Sequence, residues 1–89
     1  MNNIEMCAKL EEKVNSGDIT ALNTLIRLSE KGNAQASMHL TYIYNQKFHD
    51  RSMAKKFCQK ALEQGHPSAP MFRAIFEEMD KCDMQKHGK

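Results

Sequence analysis

A glycine followed four residues later by an alanine occurs three times in this chain, at Gly17-Asp18-Ile19-Thr20-Ala21, Gly32-Asn33-Ala34-Gln35-Ala36 and Gly65-His66-Pro67-Ser68-Ala69. Glycine enters the left-handed conformation at a helix C-terminus without steric cost, so each copy reads as the end of one helix. The residue beside it, Asp18 or Asn33, carries a short side-chain oxygen suited to capping the helix that follows. In the third copy Pro67 suits the first turn of a new helix, where its missing N–H costs nothing. Punctuation this frequent confines the chain to short helices joined by tight turns.

Apolar spacing between the turns predicts five helices. The first, over 3–15, carries Ile4, Cys7, Leu10 and Val14 on one stripe. The second, over 18–30, has the broad apolar set Ile19, Leu22, Leu25, Ile26 and Leu28, which calls for cover on more than one side. The third, over 33–45, places Ala36, Leu40, Ile43 and Tyr44 inward. The fourth starts at an Asp50 cap and carries Met53, Ala54, Phe57, Cys58, Ala61 and Leu62. The fifth, over 68–82, presents Phe72, Ile75, Phe76 and Met79, and the polar stretch 83–89 is expected to fray. No useful length alternates with period two, so the expected fold is all-α. Its 89 residues form one domain, because a second core needs roughly 50 residues of its own.

With 40% hydrophobic and 27% charged residues the chain belongs among folded rather than disordered sequences. Its apolar runs are too short to cross a membrane. Asn2, Asn3, Glu5 and Lys9 interrupt any secretory signal near the start, which points to a soluble cytoplasmic protein. The widely spaced Cys7, Cys58 and Cys82 cannot all pair within one chain and are read as reduced thiols on apolar helix faces, with Cys58 closest to an electropositive setting beside Lys55 and Lys56. Seven methionines and no tryptophan imply an adaptable core.

The segment from Lys31 to Ala69 resembles a Sel-one-like repeat (SLR), a relative of the tetratricopeptide repeat. The likeness rests on Gly32-Asn33, on Ala36, Leu40 and Tyr44 spaced by four, on Ala54, Phe57 and Cys58, and on Lys60-Ala61-Leu62-Glu63-Gln64-Gly65-His66. Where the family has two glycines and a valine, this chain has Asn45-Gln46-Lys47-Phe48-His49, with Phe48 in the valine's role. The resemblance implies a right-handed array of antiparallel helix pairs used for protein recognition. So few repeats require the first and fifth helices to act as caps or a second copy to cover them, and Met71, Phe72, Ile75 and Phe76 offer the apolar surface a homodimer would use.

No catalytic motif is present: there is no nucleophile elbow, phosphate-binding loop, dinucleotide fingerprint or zinc-protease helix. Glu11-Glu12 and Glu77-Glu78 are adjacent, about 100° apart on a helix, and read as solvated charge. Neither a cofactor nor a metal is expected. Asp80, Asp83 and His87 form the best metal constellation and are better read as polar tail, while His39, His49 and His66 have no ligand spacing. Lys47, Arg51, Lys55, Lys56 and Lys60 make a basic stretch offset locally only by Asp50. Of these, Lys55, Lys56 and Lys60 lie on the solvent side of the fourth helix, within reach of phosphate or an acidic partner.

Met38 and Tyr42 lie opposite the core stripe of the third helix, with Gln35 and His39 beside them. In helical-repeat arrays that side lines the concave surface, so these four residues are the expected contacts to a protein or peptide. The resulting expectation is a non-enzymatic interaction module acting as adaptor, chaperone or inhibitor. The alternative is a small nucleic-acid-associated regulator that uses the basic helix face.

Overall fold

The computed structural model describes the backbone of residues 2–87 and the side chains of residues 2–82. Within them the chain is all-α: helices α1 (Asn3–Asn15), α2 (Ile19–Glu30), α3 (Ala34–Gln46), α4 (Arg51–Glu63) and α5 (Ala69–His87), with no strand among the described residues. None of these helices is long and apolar enough to cross a membrane.

The three glycine turns are one structure repeated. Gly17, Gly32 and Gly65 have φ of 102°, 99° and 84°. After each, the next residue's N–H reaches back to a carbonyl five positions earlier: Asp18 to Lys13, Asn33 to Leu28 and His66 to Ala61, all at 2.9 Å. The glycine N–H bonds the carbonyl three positions back, which satisfies the otherwise orphaned end of the helix. Restart is equally regular. Asn2, Asp18, Asn33 and Asp50 each cap a helix, their side chains accepting from the N–H three residues on at 2.8–3.2 Å. At the α3–α4 corner no glycine is present, and His49 takes the left-handed conformation with φ 52°. Phe48 there is 42% exposed, its ring tilted against Tyr44 at 5.3 Å.

At Gly65 an added Cβ would meet nothing within 4 Å, so the only barrier to a side chain is the backbone conformation itself. Gly65→Ala should therefore cost about 1–2 kcal/mol, measured by urea denaturation. A change under a few tenths would show that the turn relaxes freely.

Consecutive helices pack on one another, and α1 also packs on α3. Cys7, Val14, Ala21, Leu25, Ala36, Leu40, Ile43 and Phe57 form the main core of α1–α4. Two smaller clusters, Met38 with Ala61 and Ala69, and Ala54 with Cys58 and Phe76, attach α5. The result is a slab of 49 × 28 × 17 Å.

Several side chains depart from the spacing argument. Ile4 and Ile19 are 61% and 72% exposed because they stand in the first turn of their helices, where Cβ leans back beyond the neighbour's end. Phe72 and Phe76 turn inward, leaving Met71 and Ile75 outside. Cys82 is exposed rather than packed. Helix α5 starts one residue later than expected, with Pro67 in the preceding turn, and the stretch expected to fray continues as helix to His87; Gly88 and Lys89 lie outside the described residues.

Candidate functional site

The expected contact face of α3 is covered. Met38 is fully buried, which corrects its placement as a surface contact. The end of α4 and the start of α5 close this side of α3, where Met38 packs against Ala61 and Ala69. Tyr42 is half-buried, with Phe72 in edge contact at 5.1 Å and His39 at 5.8 Å. Burial first, and the Glu11 carboxylate second, raises the Tyr42 hydroxyl above its ordinary pKa.

Gln35 and His39 stand in a hydrogen-bonded chain that runs from α1 to the α4–α5 turn. The Ser68 N–H donates to His66 Nδ1 at 3.0 Å, which leaves the His66 proton on Nε2 to donate to Gln35 Oε1 at 3.0 Å. The Gln35 amide then donates to His39 Nε2 at 3.1 Å, and the His39 Nδ1–H meets the Glu11 carboxylate. Every ring nitrogen in the chain has a partner, so little hydrogen-bonding capacity is left for a ligand. Glu11 is thereby drawn out of the solvated role expected of the Glu11-Glu12 pair, a contact between residues 28 apart that helical spacing cannot register.

This chain carries a pH dependence. Burial, followed by the proximity of His39, holds the His66 pKa below its ordinary 6.5. The groups facing it are His39 and Gln35 from α3, with Glu11 of α1 beyond His39. On acidification from 6.5 the unfolded chain takes up the proton first, so stability is full above that value and falls as pH drops through the lowered folded value. Protonation also removes the acceptor at Nδ1 that Ser68 requires. The urea midpoint should fall between pH 7.5 and pH 5, and less so in His66→Gln; equal losses in both proteins would assign the dependence elsewhere.

A second polar network centres on the buried Ser29 and Ser37. The Ser37 hydroxyl donates to Gln64 Oε1 at 2.6 Å and so accepts from Ser29 Oγ at 2.6 Å, while Gln64 Nε2 donates to the Ser29 carbonyl at 2.8 Å. One glutamine at the C-terminus of α4 thus ties α2 to α3. Ser37→Ala would strand Ser29 Oγ and Gln64 Oε1, and should cost about 1–3 kcal/mol in denaturant titrations. A neutral result would mean that both groups find replacement partners.

The basic face is partly neutralised by α5. Lys55 Nζ lies 2.5 Å from Asp80 Oδ2, and Arg51 Nη1 lies 3.3 Å from Asp80 Oδ1. The Lys55 hydrogen bond, with Arg51 assisting, draws the Asp80 carboxyl below its usual range. Asp50 is therefore not the only counter-charge. Lys56 is exposed and Lys60 half-buried. Arg73 pairs with Glu77 at 3.4 Å, and Lys81 with Glu78 at 3.5 Å.

No group of three metal-ligating side chains occurs among the described residues. The Asp83 and His87 side chains of the constellation weighed from sequence lie outside the described residues. Burial pushes the Cys7 and Cys58 thiols up, Arg73 only partly opposing it at Cys58, so neither is a poised nucleophile.

An exposed apolar surface lies on the outward side of α5. Met71 and Ile75 are 58% and 44% exposed, and with Ala74, Met79 and Cys82 they line an open cleft. Arg51 and Glu78 are its charged residues. Spacing alone marked Met71 and Ile75 as apolar but placed them in one surface with Phe72 and Phe76. No family model, curated protein or solved structure matches the chain.

Proposed function

We propose that the chain is a non-catalytic protein-binding module, an SLR-like helical-repeat adaptor or inhibitor of the cytoplasm, that docks its partner on the outward face of α5. The observation that carries this reading is the contiguous exposure of Met71, Ala74 and Ile75 on α5, beside Glu78 of the same helix and Arg51 at the start of α4. Apolar surface with a charged edge is what a protein partner buries. The α3 face supports docking less well, because Met38 lies beneath α5 and Gln35 and His39 bond internally. A nucleic-acid role through Lys55, Lys56 and Lys60 is weakened by the Asp80 carboxylate paired with Lys55.

The experiment is affinity capture from the native host with and without nuclease. Wild type should capture a defined protein regardless of nuclease, and Met71→Lys with Ile75→Glu should abolish capture while leaving the helical signal unchanged. The triple change of Lys55, Lys56 and Lys60 to glutamine should leave it intact. Nuclease-sensitive capture lost in the triple variant would replace this reading with the nucleic-acid one.

A further inference from the structure

The turn that leads into α5 differs from the other two glycine turns in one residue. Asp18 follows Gly17 and Asn33 follows Gly32, each capping the next helix through a side-chain oxygen, and the same register after Gly65 brings His66. The histidine ring serves the start of α5 instead, its Nδ1 accepting the N–H of Ser68, the residue just before the helix, at 3.0 Å. An amide or carboxylate oxygen is an acceptor near neutral pH. An imidazole nitrogen accepts only while it carries no proton, and imidazole is the side chain that gains its second proton in this range.

The hydrogen-bonded chain behind His66 determines which nitrogen is bare, and it does so from both ends. The Glu11 carboxylate accepts, so His39 holds its proton on Nδ1 and presents a bare Nε2. That nitrogen receives the Gln35 amide N–H at 3.1 Å, which turns Gln35 Oε1 toward His66, where it accepts the Nε2 proton at 3.0 Å. His66 Nδ1 is left bare for Ser68, and the Ser68 N–H, counted from the other end, demands the same polarity. A further proton on either ring breaks this order. On His66 it enters at Nδ1 and opposes the Ser68 N–H with a second donor. On His39 it enters at Nε2 and opposes the Gln35 amide. Turning that amide over presents its N–H to His66 Nε2, moves the His66 proton to Nδ1 and again breaks the Ser68 bond.

We propose that His66 is a proton-gated cap of α5: the neutral ring holds the first turn of the helix closed, and a proton on His66, or on His39 acting through Gln35, releases it. The surroundings oppose a charge on His66. His39 of α3 faces it across Gln35, Lys31 of the α2–α3 turn lines the same groove, and the Glu11 carboxylate of α1 lies beyond His39. Tyr42 meets the far ring, His39, edge-on at 5.8 Å. On the flanking helices Glu63 of α4 accepts from Gln59 at 3.4 Å, and Glu77 of α5 pairs with Arg73. Burial and then His39 hold the His66 pKa below 6.5, so the closed turn binds the proton less well than the open one. Opening is therefore favoured as pH falls from 6.5 through that lowered value. Met71 stands in the released turn, so on the docking reading above partner capture weakens in mild acid; the release itself does not depend on that reading.

Nitrogen-15 NMR of the imidazole rings, with amide exchange at pH 7.5 and pH 5, tests this. At pH 7.5 His66 should carry its proton on Nε2 and His39 on Nδ1. The reporting amides are Ser68, Ala69 and Phe72, which bond His66 Nδ1, the His66 carbonyl and the Ser68 carbonyl. Their protection, taken relative to unfolded-chain rates at each pH, should fall roughly fivefold or more from pH 7.5 to pH 5, as expected for one lost hydrogen bond and its stranded donor. The Leu25 amide in α2 should keep its protection. His66→Asn, which gives this turn the residue that Asn33 supplies in the one before, should hold the start of α5 equally protected at both pH values. A proton on His66 Nδ1 at pH 7.5, α5 protection indifferent to pH, a loss as large at Leu25 as in α5, or the same loss in His66→Asn as in wild type each overturns the proposal. All but the last are read on the wild-type chain, so they decide even where His66→Asn does not fold. No partner takes part in these measurements, so their failure leaves the docking face standing, and loss of the docking face leaves the gate.

Discussion

Met38→Ala should lower the free energy of unfolding by about 2–5 kcal/mol, among the largest losses available to a single substitution here. The side chain is fully buried and packs at the meeting point of α3, the end of α4 and the start of α5. Ala61 and Ala69 are already the small partners in that contact, so the volume removed cannot be refilled by their moving to other rotamers. For a domain whose total stability is roughly 5–15 kcal/mol, such a loss shifts the urea midpoint strongly. The same experiment decides what the residue is for. A surface contact truncated to alanine would leave the midpoint within about 0.5 kcal/mol and reduce binding alone. Equilibrium denaturation of Met38→Ala beside Tyr42→Phe checks this, because Tyr42→Phe keeps the ring against Phe72 and should change stability far less.

The difference between the expected and the observed role of Met38 shows which information is local in this chain. Turns and caps were legible because their chemistry lies within four or five residues: Gly17, Gly32 and Gly65 with positive φ, and Asp18, Asn33 and Asp50 each bonding three residues on. A helical wheel, however, marks one apolar stripe per helix. Helix α3 has neighbours on several sides, and buries Ser37, Met38 and Thr41 as well as Ala36, Leu40 and Ile43. Short polar residues such as Ser37 give no hydrophobic signal, and their need for a partner is met by Gln64, 27 residues away. Lys55 met Asp80 for the same reason, a carboxylate 25 residues later that composition counts but does not position. At α5 the wheel failed in the opposite sense. Its apolar residues occupy two sides, Phe72 and Phe76 inward, Met71 and Ile75 outward, and only packing separates them.

Phe76→Ala should cost about 3–5 kcal/mol, and the loss should appear first in α5. Phe76 is 2% exposed and packs against Ala54 and Cys58 of α4, with Phe72 and Met79 closing over it. Besides this cluster, α5 is held by Ala69 at the Met38 site, by Phe72 on Tyr42 and by Asp80 on Lys55 and Arg51. The ion pairs are solvent-exposed and screened, too weak to hold a helix whose aromatic anchor is gone. Helices α1–α4 keep their own core of Leu25, Leu40, Ile43 and Phe57, which contains no α5 residue. Amide exchange in Phe76→Ala should therefore accelerate throughout α5 while protection in α2 and α3 stays close to wild type. Because Met71 and Ile75 ride on α5, docking on that face should weaken although neither residue has been touched. If exchange instead rises equally in all five helices, the chain unfolds as one cooperative unit and the attachment of α5 is not a separable step.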